Sequence, residues 1–165
     1  MSCDLKIEEL KPGEVKEFRE LVSKVFNHYD RTYVIKALGH VKTFLAKCGK
    51  EIVGFIETYI TKIDNEKAGI IYYIGVHPDH QGKGVGKTLV NYALNYFSNR
   101  SVKVVLASTR SWNLKARKFF RKLGYEEYTY EELIEKKGYE YLYKLVKALY
   151  AYEDDIFLIK RIELT

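Results

Sequence analysis

The sequence predicts a mixed α/β fold, in which a central mixed sheet is flanked by helices on both faces. With 165 residues, of which 47% are hydrophobic and 30% are charged, the chain can bury a core and is too apolar to be disordered. Strand-like and helix-like segments follow the order β-α-(α)-β-β-β-α-β-α-β-α-β, which is typical of such a fold. No Pro/Gly/Ser-rich linker interrupts them, so we expect a single domain over residues 1–165.

The elements of the first half are assigned from apolar periodicity. Alternation of apolar and polar residues predicts strands, and an apolar stripe at spacings of three and four predicts helices. The expected elements are a strand around Leu5 and Ile7, a helix opened by Pro12, a short helix at 33–38, a hairpin of strands at 43–47 and 51–59, and a buried central strand at 70–76.

The second half is assigned from the same periodicity and from capping residues. Asn113 is suited to cap the start of a helix, and Gly124 is suited to end it. The expected elements are a helix at 85–97, a strand at 102–107, the helix between Asn113 and Gly124, a strand at 125–130, a helical insertion at about 131–150 that is broken near Gly138, and a last strand at 156–164.

The net charge of +6 and the pI near 9.1 favour an anionic partner. The positive charges are spread along the chain, so a solvated basic surface is a better interpretation than nucleic-acid binding. No apolar run approaches the length of a membrane span, and the N-terminus lacks the apolar centre of a signal peptide. We therefore expect a cytoplasmic protein whose Cys3 and Cys48 are reduced thiols.

The most informative segment is a glycine-rich turn between the central strand and the helix at 85–97. Glycines 82, 84 and 86 allow positive φ angles and let backbone N–H groups gather around one point, and the helix N-terminus adds partial positive charge. Lys83 and Lys87 flank that point. The segment therefore predicts a pyrophosphate site that needs no metal.

Three phosphate-binding motifs compete for this turn. The P-loop requires a glycine where Gln81 stands. The dinucleotide fingerprint requires a glycine or alanine where Lys87 stands. The third pattern, Gln-x-x-Gly-x-Gly, is met in full by Gln81, Gly84 and Gly86.

The third pattern resembles the acetyl-CoA-binding motif of the Gcn5-related N-acetyltransferase superfamily. The strand end Ile74-Gly75-Val76-His77-Pro78 and the stretch Asn113–Tyr125 also look like segments of that family. The resemblance implies the acyl-CoA N-acyltransferase fold of that family, of the α+β type, in which the central mixed sheet is mostly antiparallel and is flanked by helices. It also implies acetyl-CoA as donor substrate, with no metal cofactor. It assigns CoA binding to Ile74, Gly75, Val76, Gln81, Gly82, Lys83, Gly84, Val85, Gly86, Lys87, Thr88, Asn113, Ala116, Phe119 and Phe120.

The same resemblance implies direct attack of an amine on the thioester, with a backbone N–H near Ile74–Val76 stabilising the oxyanion. The family's general acid is a tyrosine seven residues after the Asn, and Phe120 occupies that position. Carboxylates found in some members correspond to Ile70 and Ser108. The proton-transfer groups therefore cannot be carried over from the family.

The catalytic candidates that remain are Glu57, Tyr72 and Tyr73, with Tyr125, Tyr139 and Tyr143 as further tyrosines. Glu57 is the best base by chemistry, because a carboxylate can take a proton at neutral pH. Strand alternation predicts that only one of Tyr72 and Tyr73 faces the cleft. His77 and His80 lack a third ligand nearby, so no metal site is expected.

Two functions follow from these patterns. The first is an N-acetyltransferase that acts on a primary amine of a small molecule or a protein. The second is a catalytically weak, CoA-binding sensor or scaffold of the same fold, which the missing tyrosine favours. A homodimer contact is one use for the tyrosine-rich insertion; a wall of the acceptor site is the other.

Overall fold

The computed structural model describes residues 3–162, in which seven strands form a mixed sheet of order β1-β2-β3-β4-β5-β7-β6. The strands are β1 (Leu5–Glu9), β2 (Lys42–Cys48), β3 (Glu51–Ile63), β4 (Glu66–Val76), β5 (Val104–Thr109), β6 (Glu126–Tyr128) and β7 (Ile156–Arg161). The helices are α1 (Val15–Val25), α2 (His28–Lys36), α3 (Val85–Ser98), α4 (Leu114–Lys122), α5 (Tyr130–Lys137) and α6 (Tyr139–Leu149). The pair β4–β5 is parallel, whereas β1–β2, β2–β3, β5–β7 and β6–β7 are antiparallel, so the predicted fold class is confirmed.

The chain forms two compact units, the first of which contains the residues up to Tyr59 together with Tyr73–Asn95. Its core joins α1 and α2 to the sheet through Phe18, Leu21, Val22, Val34, Leu45, Ile52 and Phe55. Phe55 meets Phe18 of α1 edge-on, whereas a Cβ on the preceding Gly54 would lie 3.0 Å from Val85 of α3. Helices α1 and α3 therefore cover opposite faces of β3.

The second unit contains Ile60–Tyr72 and the residues from Tyr96 onward. Its buried residues include Leu106 of β5, Leu145 and Leu149 of α6, and Phe157 and Leu158 of β7. Thr129 and Glu132 form a capping box at the start of α5. Gly138, with φ of 88°, separates α5 from α6, as the sequence predicts.

Several element boundaries differ from the prediction, most of all those of α2, β3 and β4. Helix α2 begins at His28 and not at residue 33, because the side chain of Asn27 accepts a hydrogen bond from Asp30 N–H (3.0 Å) and caps the helix. Strands β3 and β4 are longer than expected because Asp64 and Asn65, with φ of 51° and 68°, make a two-residue hairpin turn. For the last strand, the predicted residues 163–164 lie outside the described part of the chain.

The expectation of two reduced thiols is wrong, because Cys3 and Cys48 form a disulfide with their Cα atoms 5.7 Å apart. The register of β1 and β2 pairs Leu5 with Cys48 and so brings the start of β1 to the end of β2. Within residues 3–162, every helix is too short or too polar to cross a lipid bilayer.

Candidate active site

The glycine-rich turn adopts the conformation that its sequence predicts. Gly82 and Gly84 have φ angles of 75° and 84°, which side chains with a Cβ rarely adopt. Both glycines are exposed, and a Cβ built on either would have no atom within 4 Å. The turn therefore has open space around its backbone, as an anion cradle requires.

Helix α3 begins at Val85, directly behind this turn. Its first full helical bond runs from Thr88 N–H to Gly84 O (3.0 Å), and the Thr88 hydroxyl donates to the same carbonyl (2.9 Å). The amides of residues 85–87 precede that bond, so helical geometry leaves them free to bind an anion. Gln81 Nε2 donates to Val76 O (3.1 Å) and ties the turn to the end of β4.

The turn fits a pyrophosphate. Residues 81–88 contain no acidic side chain and include the exposed Lys83 and Lys87. Close packing behind the turn depends on Gly54, since a Cβ there would lie 3.2 Å from Leu89 Cδ1. The absence of a side chain at position 54 lets α3 approach β3 and holds its N-terminus in place.

The second family-like segment forms α4 and the turn after it. Asn113 accepts a hydrogen bond from Ala116 N–H (3.2 Å), so its side chain is used as the helix N-cap. Phe120 is only 5% exposed and packs against Phe119 and Tyr125, with ring centroids 5.1 Å apart in both pairs. The position where the family's tyrosine would stand is thus a packed aromatic ring without a hydroxyl.

Strands β4 and β5 separate part of the way along their length. Their paired register is Ala68–Val104, Gly69–Val105 and Ile70–Leu106, and it ends there, although both strands continue. Tyr72 and Ser108 each lie two residues beyond the last pair. Ligands commonly bind where parallel strands diverge toward their carboxyl ends, so Tyr72 is placed at a suitable point of the sheet.

Glu57 of β3 is fully buried, and neither of its carboxyl oxygens has a hydrogen-bond partner in the structure. Burial raises the pKa of Glu57 to about 9, because the charged form loses its hydration. At neutral pH the side chain is therefore a neutral carboxylic acid. In this state it has no free carboxylate with which to accept a proton, so the geometry argues against its predicted role as the base.

The two adjacent tyrosines of β4 have different neighbours. The Tyr73 hydroxyl donates to Asp30 Oδ1 (3.0 Å), and its ring meets Phe26 edge-on. The Tyr72 ring contacts the ring of Tyr150, with centroids 6.4 Å apart. Neither Asp30 nor Tyr150 was selected from the sequence, because no local pattern connects them to β4.

Strand alternation cannot show which of Tyr72 and Tyr73 faces the cleft, because the alternation is interrupted in this part of β4. A Cβ on Gly69 would meet the ring of Phe97 in α3, whereas a Cβ on Gly75 would meet Phe55 and Val25 on the face that α1 covers. Residues six positions apart share a face in a regular strand. An irregularity of the kind made by a β-bulge therefore lies between Gly69 and Gly75.

The remaining tyrosine candidates offer no ready proton-transfer group. The Tyr125 hydroxyl is buried without a partner, and burial raises the pKa of Tyr125 far above its usual range. Tyr139 and Tyr143 are exposed and help to line a groove of about 420 Å³ between α5 and α6.

Within residues 3–162, no cluster of three or more His, Cys, Asp or Glu side chains could hold a metal ion.

Residues 7–125 match the acetyltransferase (GNAT) family, and this range includes the glycine-rich turn, α4 and the three catalytic candidates. An uncharacterised N-acetyltransferase of Methanocaldococcus jannaschii is 28% identical over 129 residues, which are 69% of this chain and 57% of that protein. A mycothiol acetyltransferase of Streptomyces bingchenggensis is 33% identical over 86 residues, 52% of this chain and 27% of that protein. The chain thus spans just over half the length of the first relative and about a quarter of the length of the second.

Solved structures share the fold at low sequence identity. Arabidopsis thaliana Naa50, in complex with the bisubstrate analogue CoA-Ac-MVNAL, has a TM-score of 0.67 at 19% identity and covers 96% of this chain and 99% of its own. The ribosomal-protein-S18-alanine N-acetyltransferase of Escherichia coli has a TM-score of 0.70 at 16% identity, with coverages of 98% and 96%.

Proposed function

This chain belongs to the acetyltransferase (GNAT) family, and we propose that it transfers an acetyl group from acetyl-CoA to a primary amine. The observation that carries the proposal is the exposed turn at Gly82 and Gly84, which leads directly into the N-terminus of α3. Its open backbone and flanking lysines suit the pyrophosphate of CoA. The alternative donors, ATP and NAD, use loops whose required glycines are absent here.

Acetyl-CoA supplies an activated thioester, and the residues of the chain hold and orient it. The amides of residues 85–87 would bind the pyrophosphate, with Lys83 and Lys87 adding positive charge. Backbone N–H groups near Ile74–Val76 would stabilise the oxygen that becomes negative during attack. These groups need no metal.

Tyr72 is the best proton donor among the three candidates. Two observations support this choice: Tyr72 lies two residues beyond the last β4–β5 pair, where the strands diverge, and its ring contacts the ring of Tyr150. A tyrosine hydroxyl positioned at the leaving sulfur would supply the proton that the family's missing tyrosine normally gives. Phe120 cannot take this role.

The acceptor that fits best is an amine with a low pKa, because none of the candidate residues described above is a base ready to deprotonate the amine. Glu57 has a pKa of about 9 and is neutral at pH 7. A lysine amine is deprotonated in only about one molecule in 2,500 at that pH, whereas an α-amine is deprotonated in roughly one in five to ten. The E. coli structural neighbour is named for an alanine of ribosomal protein S18, so peptides that start with alanine belong among the acceptors to be tested.

The test is release of free CoA thiol from acetyl-CoA with a panel of alaninamide, an alanine-starting peptide, a lysine side-chain amine and a polyamine. We expect turnover with the α-amines first, at pH 7–8. Tight CoA binding without turnover on any amine would support the sensor function, which the buried Phe120 ring favours. Absence of both binding and turnover would contradict the assignment of the glycine-rich turn.

A further inference from the structure

We infer that Tyr150 is an acceptor-binding residue, which the chain holds in a strained backbone conformation so that its ring lies beside Tyr72. The inference rests on the proposed function and adds to it a wall of the acceptor site. It is carried by three observations: the contact between the two rings, the backbone angles of Tyr150, and the anchoring of residues 151–155 to the end of β5.

The backbone of Tyr150 is unusual for its residue type. It ends α6 in the left-handed conformation, with φ of 53° and ψ of 35°. That position after a helix is normally given to Gly or Asn, because a bulky side chain there clashes with its own backbone. Strained positions of this kind persist where the side chain serves a function.

The Tyr150 side chain has no burial that would explain the strain. It is 64% exposed, so its ring gains little from the core. The ring meets that of Tyr72 in an edge-to-face arrangement, with centroids 6.4 Å apart. The left-handed turn therefore directs a largely solvent-facing ring toward the proposed proton donor.

The segment that follows Tyr150 is fixed to the end of β5. Asp155 N–H donates to Thr109 O (3.2 Å), and the Ser108 hydroxyl donates to Asp154 Oδ2 (2.6 Å). Glu153 forms an ion pair with Arg110. Since Ser108 lies two residues beyond the last β4–β5 pair, as Tyr72 does on β4, the segment from Tyr150 to Asp155 crosses the point where the strands diverge.

The chemistry of this wall indicates which acceptors it favours. The carboxylates of Glu153, Asp154 and Asp155 already bind Arg110, the Ser108 hydroxyl and the Ser111 N–H, so a second ammonium group would have to compete with these contacts. The wall instead presents the faces and edges of two tyrosine rings. It suits a monoamine with an apolar or aromatic group beside the reacting nitrogen, rather than a polyamine.

The experiment compares phenylalaninamide with alaninamide, two α-amines that differ by one phenyl ring. Kinetics and melting temperature are measured for the unmodified protein, for Tyr150→Gly and Tyr150→Phe, and for Tyr152→Ala, which changes a tyrosine that is also exposed (66%). We expect the unmodified protein to prefer phenylalaninamide about 3- to 10-fold in kcat/KM, the range of an aromatic pair. Tyr150→Gly should remove that preference, while the melting temperature stays constant or rises by about 2–4 °C.

Tyr150→Phe should keep the preference, and Tyr152→Ala should leave it unchanged, as should the KM for acetyl-CoA in every variant. A preference that survives Tyr150→Gly, or that is lost equally in Tyr152→Ala, overturns the inference and leaves the proposed function standing. So does a Tyr150→Gly variant that melts lower and loses activity on both amines alike, because that result indicates a structural role. Failure of the unmodified protein to acetylate any amine overturns both.

Discussion

The proposed donor and acceptor regions of this protein are built in opposite ways. The glycine-rich turn is formed by consecutive residues, 81–88, and what it offers a ligand is mainly backbone N–H groups. The proton-transfer and acceptor candidates Glu57, Tyr72, Tyr73 and Tyr150 are side chains from three places in the sequence. The tyrosines contact residues far along the chain, since the Tyr72 ring meets Tyr150 and the Tyr73 hydroxyl donates to Asp30. A site made of backbone N–H groups depends on the positions of its glycines, which can be read from the sequence. In a site made of side chains, by contrast, the reactive residues can be replaced by others while the fold stays the same.

Phe120 illustrates this difference. The family's motif around α4 is present, with Asn113 capping the helix, and yet the hydroxyl that the family uses is absent. The aromatic ring is retained because it packs against Phe119 and Tyr125. Packing therefore preserves the shape of the segment, and in the proposed reaction the proton would come from another residue.

The largest effect is expected from Gly84→Asp, which breaks the donor region. A carboxylate about 4 Å from a phosphate in a partly exposed site repels it enough to weaken CoA binding about 100-fold. Gly84→Asn is the matched control, since Asn has the same size and tolerates a positive φ without the charge. Calorimetric titration with CoA should give a far smaller loss for Asn, and equal losses would show that crowding, not charge, is responsible.

A second large effect is expected from Tyr72→Phe, and comparison with Tyr73→Phe distinguishes the roles of the two tyrosines of β4. Loss of a positioned proton donor should lower kcat about 100-fold, with little change in the KM for acetyl-CoA. Tyr73→Phe removes a hydrogen bond to Asp30 and should lower the free energy of unfolding by about 1–2 kcal/mol, with kcat within about threefold. The opposite pattern of kcat values would assign the proton donor to Tyr73.

The third prediction concerns the pH dependence of stability and Glu57. Its pKa is raised from 4.5 to about 9 in the folded state, so between these values the folded protein keeps a proton that the unfolded chain releases. Stability must therefore fall as pH rises from about 4.5 to 9, with a limiting slope of about 1.4 kcal/mol per pH unit. Glu57→Gln should remove this slope and be the more stable protein at pH 8.

Urea unfolding at pH 5, 7 and 9 measures the difference between Glu57→Gln and the unmodified protein. Glu51→Gln, at an exposed position of the same strand, serves as the control. We also expect Glu57→Gln to acetylate amines at pH 7 at a rate within about threefold of normal. A large loss of kcat with intact stability would instead establish Glu57 as the base.

Local signals account for what the sequence could predict. The start of α3, the cap at Asn113 and the break at Gly138 each depend on residues within one helical turn, and all three are confirmed. The early start of α2 was missed because it depends on the Asn27 cap and lacks an apolar stripe. The left-handed Tyr150 was missed because the sequence signal for such a position is a glycine, and here it is a tyrosine.

The smallest expected effect comes from Asn113, which the family resemblance assigns to CoA binding. In the structure its side chain accepts the Ala116 N–H bond and caps α4, so Asn113→Ala should lower the free energy of unfolding by about 1 kcal/mol. CoA affinity should change less than threefold. Asn113→Asp keeps the capping oxygen and should restore stability. A tenfold loss of CoA affinity in the alanine variant alone would instead indicate that Asn113 binds CoA. The outcome decides whether the donor region extends to α4 or ends with the turn and the first amides of α3.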